Sequence, residues 1–112
     1  MLKMEFTFDK AAIEKKGYSM ESLYGEIKKE FASKNIPCVS DNEVLAFSGT
    51  GHKDDFSNML TIMRIYSQVD WFMDTASSWI FRTNEGWEDV LKQAKKDWEE
   101  GRRYASKHRA GA

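Results

Sequence analysis

The hydrophobic pattern of this chain changes its period several times, and this constrains the fold more than any other feature. Met4, Phe6 and Phe8 alternate with polar residues, which is the period of a strand. Leu23 and Phe31 then belong to a set of apolar residues at helical spacing. Strand and helix patterns continue in the order β-α-β-β-α-β-α. This order predicts a two-layer α+β domain, in which three main helices pack on an antiparallel or mixed sheet of about four strands.

Polar residues mark the ends of the first helices. Asp9 is the predicted N-cap of a short helix over residues 10–16, and Gly17 closes it. Ser19 is the predicted N-cap of the next helix. That helix ends before Pro37, because the residue preceding a proline disfavours the helical region.

A β-hairpin is predicted over residues 38–47, with Asp41-Asn42 as its turn. The second strand of this hairpin is apolar on both faces, which indicates that both faces are covered. Cys38 begins the first strand, and a lone cysteine is more often a small buried hydrophobe than a nucleophile.

The next helix begins at Asp54 or Asp55 and has two apolar flanks. One stripe contains Phe56, Met59, Leu60, Met63 and Tyr66, and a second contains Ile62, Ile65 and Val69. A helix that is apolar on two flanks is expected to be covered on two sides, here by the sheet and by the C-terminal helix.

Three tryptophans follow at intervals of eight residues, Trp71, Trp79 and Trp87. Two interpretations of the segment are open. Residues 71–75 and 79–83 can form a strand pair, or Asp70 can start a short helix that precedes a single strand over residues 78–82. We prefer the second interpretation, because residues 73–76 make a poor strand.

The last helix is predicted from about Gly86. Its inward stripe contains Trp87, Val90, Leu91, Ala94 and Trp98, so Trp87 is expected to be buried. Gly101 is expected to weaken or end this helix. We therefore predict one domain over residues 1–101, followed by a frayed basic tail over residues 102–112.

The composition is that of a soluble globular domain, with 41% hydrophobic and 31% charged residues in 112. No apolar run approaches the roughly 18 residues that span a bilayer, so no membrane partner is expected. The N-terminal residues lack an apolar signal-peptide core, and there is only one cysteine. A cytoplasmic location is the expectation.

The segment over residues 48–53 reads Ser-Gly-Thr-Gly-His-Lys. Glycines between a strand and a helix can let backbone N–H groups hold a phosphate. However, Asp54 stands where a dinucleotide fingerprint needs its third glycine, and the spacing of a P-loop is missing. A glycine turn leading into a capped helix is the preferred interpretation.

Catalytic and metal-binding constellations are weak. Ser48, His52 and Asp54 have the residue types of a hydrolytic triad, but such triads are not built from one local turn. Asp54, Asp55, Asp74 and His52 could meet at a metal, yet no ligand spacing supports such a site. We therefore predict no catalytic residue, no cofactor and no metal ligand.

Aromatic residues at helical spacing usually belong to a core, and this is the preferred interpretation of the aromatic segment. The alternative is a binding surface, because aromatic residues are enriched at the centres of protein interfaces. The predicted surface contains Trp71 and Phe72 beside Asp70 and Asp74. Its acidic rim would comprise Asp70, Asp74, Glu85, Glu88 and Asp89. This favours a non-catalytic binding or accessory domain that docks a protein partner or a second copy of itself.

The charge distribution supports an alternative. Residues 41–91 carry 3 basic and 9 acidic side chains, whereas residues 92–112 carry 7 basic and 3 acidic ones. The basic C-terminal region could contact nucleic acid through phosphates. The candidate contacts are Lys92, Lys95, Lys96, Arg102, Arg103, Lys107 and Arg109.

Four short segments carry a resemblance. They are Phe6-Thr-Phe8-Asp9, Gly17-Tyr18, Asp54-Asp55-Phe56 and Trp71-Phe72. In these segments the chain resembles small uncharacterised proteins from gut-type Gram-positive bacteria, some of which are found among mobile-element genes. The resemblance implies a bacterial cytoplasmic origin, and it implies neither an activity nor a functional residue.

Overall fold

The computed structural model describes the backbone of residues 1–110 and the side chains of residues 1–100. Within that part of the chain the strands are β1 (Lys3–Phe8), β2 (Cys38–Asp41), β3 (Leu45–Ser48), β4 (Ala76–Thr83) and β5 (Gly86–Asp89). The helices are α1 (Lys10–Lys15), α2 (Met20–Ala32), α3 (Asp55–Tyr66), α4 (Asp70–Thr75) and α5 (Val90–Ala110). The predicted α+β architecture is confirmed, with one strand more than expected.

The five strands form one antiparallel sheet in the order β2-β3-β1-β4-β5. The N-terminal strand β1 is therefore central, with the hairpin β2–β3 on one side and the hairpin β4–β5 on the other. This arrangement leaves β2 and β5 as the two edge strands.

One face of the sheet carries the core. Met4, Phe6 and Phe8 alternate with half-buried residues along β1, as the period-two pattern predicts. The Phe6 ring lies at the centre, stacked on Trp79 with ring centroids 5.8 Å apart and edge-on to Phe72 at 5.6 Å. Buried residues from all five helices join this same apolar cluster, so the helices pack on one face of the sheet.

The opposite face of the sheet is polar. Lys3 lies opposite Arg82 and Thr7 lies opposite Ser78 in the register of β1 and β4. Glu5 forms an ion pair with Arg82 and a second one with Lys3 at 3.7 Å. The Thr7 hydroxyl lies 2.5 Å from that of Ser78. This open face therefore satisfies its polar groups within the sheet.

The predicted caps are present at both early helices. The Asp9 carboxylate accepts hydrogen bonds from the backbone N–H groups of Ala11 and Ala12, which begin α1. The Ser19 hydroxyl accepts from the N–H of Ser22 at 3.1 Å and begins α2. Local side-chain chemistry thus sets these two helix starts.

The tryptophan segment follows the preferred interpretation. α4 is a short helix, and it is followed by the single strand β4, which begins two residues earlier than predicted. Along β4, Trp79 and Phe81 are buried on the core face. Within the described residues the Trp79 Nε1–H has no hydrogen-bond acceptor.

The predicted two-sided burial of α3 is wrong. Its buried apolar residues, Met59, Ile62 and Tyr66, form one stripe. Three other apolar residues of this helix are exposed: Phe56, Leu60 and Ile65. The physical reason is that α5 packs against β4 instead of covering the flank of α3. Burial raises the pKa of the Tyr66 hydroxyl.

The predicted start of the last helix is also wrong. Residues Gly86–Asp89 extend the sheet as β5, and α5 begins only at Val90. The helix then continues past Gly101 to Ala110. The side chains of the predicted basic tail lie outside the described residues.

Cys38 is exposed, contrary to the prediction of a buried thiol. It lies on the edge strand β2, of which no residue is fully buried. Its thiol makes a 3.2 Å contact to the carbonyl oxygen of Ser40.

Candidate protein-docking site

The glycine turn after β3 is an anion-binding loop, and its anion is a side chain of the same molecule. Asp55 is buried, and its Oδ2 atom accepts hydrogen bonds from the backbone N–H groups of Thr50, Gly51 and His52, each at 3.0 Å. These are the donors that a phosphate would need. The interpretation of this segment as a turn leading into a helix is therefore confirmed, because its cradle is already filled.

Two glycines allow this turn to close. A Cβ atom on Gly49 would lie 2.8 Å from Asp55 Oδ2, closer than real Cβ contacts come. Gly51 has a φ of 90°, a conformation that residues with a side chain rarely adopt. The glycine spacing thus serves the carboxylate of Asp55.

The residue types of a triad do not assemble at this turn. The Ser48 hydroxyl donates to Met1 Sδ and to the carbonyl oxygen of Gly49 rather than to His52. His52 is exposed, and its Nδ1 accepts the backbone N–H of Asp54 at 3.1 Å. The neighbouring cavity, of about 280 Å³, is polar and includes His52 and Asp54 in its lining. The arrangement presents no nucleophile activated by a base.

Asp55 and Asp74, two of the candidate metal ligands, lie in different parts of the structure. Asp55 is held inside the glycine turn, whereas Asp74 lies on α4 and forms a 3.6 Å ion pair with Lys16. Within residues 1–100, no group of three or more His, Cys, Asp or Glu side chains is placed to hold a metal ion.

The predicted interface around Trp71 belongs largely to the core. Phe72 is fully buried between Phe6, Tyr66 and Trp79, so the prediction that it lies on a binding surface is wrong. Trp71 is half-buried and packs edge-on to Tyr66, with ring centroids 5.9 Å apart. Asp70 and Asp74 are exposed beside it. The short helix α4 directs its largest rings inward, because it connects α3 to the central part of the sheet.

Trp87 is the exposed tryptophan, with 66% of its surface accessible, contrary to the prediction that it is buried. It lies on the edge strand β5 opposite Arg82, whose side chain belongs to the polar face of the sheet. The sequence signal was ambiguous, because Trp87 also fits the helical stripe that begins at Val90. Residues 86–89 pair with β4, and this pairing places Trp87 in a strand rather than in the helix.

A depression of about 240 Å³ adjoins Trp87 at the β4–β5 turn. Its lining comprises Phe81, Thr83, Glu85, Gly86, Trp87 and Glu88. Phe81 also contacts the half-exposed Phe56, with ring centroids 6.0 Å apart. Leu60 is exposed one helical turn after Phe56. We call the surface formed by Glu85, Trp87 and Glu88 at this turn the hairpin patch.

The hairpin patch is acidic as well as apolar. Glu85 and Glu88 line the depression, and neither forms an ion pair with another described residue. Asp89, the third predicted rim residue at this end, instead accepts the backbone N–H of Lys92 at 3.1 Å and stabilises the start of α5. The free carboxylates of Glu85 and Glu88 therefore line the same depression as Trp87.

The basic residues proposed for nucleic-acid contact are only partly described. Lys92, Lys95 and Lys96 are exposed on α5, and Asp97, Glu99 and Glu100 follow them on the same helix. This described part of α5 therefore has no excess of positive charge. The side chains of Arg102, Arg103, Lys107 and Arg109 lie outside it, and nucleic-acid binding stays a prediction.

No helix in the part of the chain that the structure describes has the length and apolar character needed to cross a lipid bilayer. A scan of protein-family models, a search of curated proteins and a search of solved structures each find no match for this chain.

Proposed function

We propose that this protein is a non-catalytic docking domain that binds a partner protein through the hairpin patch. The observation that carries this proposal is the 66% exposure of Trp87 beside a depression lined by Glu85 and Glu88. Aromatic side chains are enriched at the energetic centres of interfaces. Truncating such a side chain at the centre of an interface typically weakens binding by about 2 kcal/mol or more.

The charge of the patch indicates the chemistry of the partner. Glu85 and Glu88 have no cation beside them in the described structure, so a partner gains most by presenting lysine or arginine next to an apolar side chain. The proposed partner segment therefore carries an apolar residue that enters the depression and basic residues that flank it.

A different protein fits this patch better than a second copy of the chain does. In a symmetric dimer the same surface patch meets itself. Such a contact through the hairpin patch would bring Glu85 and Glu88 close to the same residues of the other copy, and like charges repel. The patch is therefore assigned to another protein.

The expected cytoplasmic setting is part of the proposal. Cys38 is a free and exposed thiol. Such thiols persist in reducing compartments and are readily oxidised outside them.

The test compares partner capture by three forms of the protein. The wild type, Trp87→Ser and a control, Val39→Ser, are used as baits. Val39 is apolar and exposed on the opposite edge strand, so its replacement removes a similar feature elsewhere. We expect a partner that the wild type and the control retain and that Trp87→Ser loses, with purified partner binding at least ten-fold more weakly to that variant.

Two results would contradict the proposal. Equal capture of the same proteins by all three baits would show that the hairpin patch is not the docking surface. Concentration-dependent dimerisation that Trp87→Ser abolishes would assign the patch to a second copy of the chain instead.

A further inference from the structure

A second concave surface lies at the opposite end of the sheet from the hairpin patch. It runs between the α1–α2 connection and the turn that joins β2 to β3. Two adjoining cavities form it, with volumes of about 350 and 610 Å³, and both are lined by Lys10 and Met20. Volumes in this range are typical of small-molecule sites.

The floor of this groove is apolar. Ile13 lines the smaller cavity, and Phe8 and Tyr24 line the larger one. All three are more than nine-tenths buried, so the core supports them from below. Met20 is half-buried between the cavities, and Tyr18 is 43% exposed at the outer end. An aromatic or aliphatic body is suited to such a floor.

The walls of the groove are fixed by hydrogen bonds within the protein. The Tyr24 hydroxyl donates to the carbonyl oxygen of Asn42 at 2.9 Å. Lys28 Nζ lies 2.7 Å from Asp41 Oδ2 and ties the β2–β3 turn to α2. This ion pair raises the pKa of Lys28 and lowers that of Asp41. The groove is therefore already formed in the free protein.

The rim of the groove carries unneutralised negative charge. Glu14 lines the smaller cavity, and Glu21 and Glu43 line the larger one. None of the three forms an ion pair with another residue in the described part of the chain. Among the described residues that line the groove, Lys10 is the only cation, and Asp41 is already engaged by Lys28. Three free carboxylates thus face one ammonium group.

We propose that this groove binds a small organic cation, in which an ammonium group is attached to an aromatic or alkyl body. The body packs on Phe8, Met20 and Tyr24, and the ammonium lies near Glu21 and Glu43. The ligand is recognised by charge and apolar shape together. This site is independent of the hairpin patch, so either proposal can fail without the other.

Three probes of similar size and different charge test the proposal on the full-length protein. They are 2-phenylethylamine, which is a cation at pH 7, the neutral 2-phenylethanol and the anionic 3-phenylpropionate. Amide chemical shifts in ¹H–¹⁵N spectra report both the affinity and the location. We expect the amine to shift the amides of Phe8, Met20, Tyr24 and Asn42, with the alcohol at least five-fold weaker and the anion weaker still.

Variants separate charge recognition from nonspecific binding. Glu21→Gln and Glu43→Gln keep the side-chain shape, and each is expected to weaken the amine about three-fold while leaving the alcohol unchanged. Glu99→Gln, at an exposed position of α5 outside both surfaces, is the matched control and should have no effect. Raising the salt concentration should weaken only the amine.

Several outcomes would overturn the proposal. Equal affinity for the amine and the alcohol would show that the groove does not recognise charge. Shifts centred on residues 83–88, or the absence of saturable shifts up to about 20 mM amine, would show that the groove is not a site for this ligand class.

Discussion

Gly49 and the carboxylate of Asp55 are in such close approach that a single added methyl group would displace one of them. A Cβ at Gly49 would lie 2.8 Å from Asp55 Oδ2 and 3.2 Å from its Cγ. The carboxylate cannot easily move away, because three backbone N–H groups hold it. The glycine turn and the start of α3 therefore form one structural unit.

Gly49→Ala is expected to lower the free energy of unfolding by about 2 kcal/mol, since the clash disrupts hydrogen bonds to the carboxylate. The matched control is Gly25→Ala, in the exposed middle of α2, where no atom of the described residues lies within 4 Å of the added Cβ. That change should raise stability by about 0.5–1 kcal/mol through helix propensity. Denaturant unfolding of both variants measures the difference, and equal effects would contradict the close contact.

Asp55→Ala is expected to destabilise the protein by about 2–4 kcal/mol, because three backbone N–H groups lose their acceptor in a partly buried turn. Asp55→Asn keeps one side-chain oxygen and should cost less. Asp54→Ala is the control, because Asp54 is exposed and its side chain makes no cap hydrogen bond. Thermal unfolding measures both variants. Equal midpoints for Asp54→Ala and Asp55→Ala would rule out a stabilising role for the Asp55 carboxylate. Hydrogen exchange at Thr50, Gly51 and His52 should accelerate only in the Asp55 variants.

Trp87 and Trp79 should respond in opposite ways to substitution. Trp87→Ala is expected to change the free energy of unfolding by no more than about 0.5 kcal/mol, because the indole is mainly exposed. Trp79→Ala should cost about 3–5 kcal/mol, because this indole is fully buried. Acrylamide quenching of fluorescence provides a second measurement: Trp87→Phe should remove the most accessible emission. A strong loss of stability in Trp87→Ala would show that residues 86–89 pack inward.

The buried hydroxyl of Tyr66 is expected to make the folded protein less stable at alkaline pH. Burial raises the pKa of Tyr66 in the folded protein. In the unfolded chain a tyrosine has its ordinary pKa of about 10. The unfolded state therefore releases this proton first, and the free energy of unfolding falls as the pH rises above about 10. Tyr66→Phe should remove this part of the pH dependence, while Tyr18→Phe, at an exposed position, should retain it. Urea unfolding of the wild type and both variants between pH 8 and pH 11 measures this difference. If the free energy of unfolding depended on pH in the same way in all three proteins, the predicted role of Tyr66 would be wrong.

Cys38 should react as an accessible thiol in the native protein. Because it is exposed on an edge strand, complete labelling by a disulfide reagent is expected without denaturant. The rate should change by less than about ten-fold when the protein is unfolded in urea. Cys38→Ser provides the blank. Protection by orders of magnitude in the native state would mean that the thiol is covered.

Much of the fold could be predicted because its signals are local. The alternation of Met4, Phe6 and Phe8 defines a core face of a strand wherever that strand pairs. The caps at Asp9 and Ser19 need only side-chain atoms two or three residues away from their donors. The Asp55 cradle lies within six residues, although its geometry could not be predicted, because Asp54 and Asp55 are equivalent in sequence.

The candidate site was not predictable in the same way. The acidic and aromatic composition around residues 70–89 indicated a patch, but it pointed to Phe72, which packs among three core rings. Trp87 fits a strand and a helical stripe equally well. Its exposure depends on the register in which it lies opposite Arg82 at the edge of the sheet.

By itself, the sequence determined the order of the elements from β1 to β4, the caps of α1 and α2 and the apolar faces of β1 and α2, because these follow from neighbours within about one helical turn. Only the tertiary structure decided which apolar faces are covered. The exposure of Phe56 and Trp87 results from where α5 and β5 pack, and burial depends on neighbours that are distant in sequence. The same distinction separates Trp79 at the centre of the core from Trp87 at its edge.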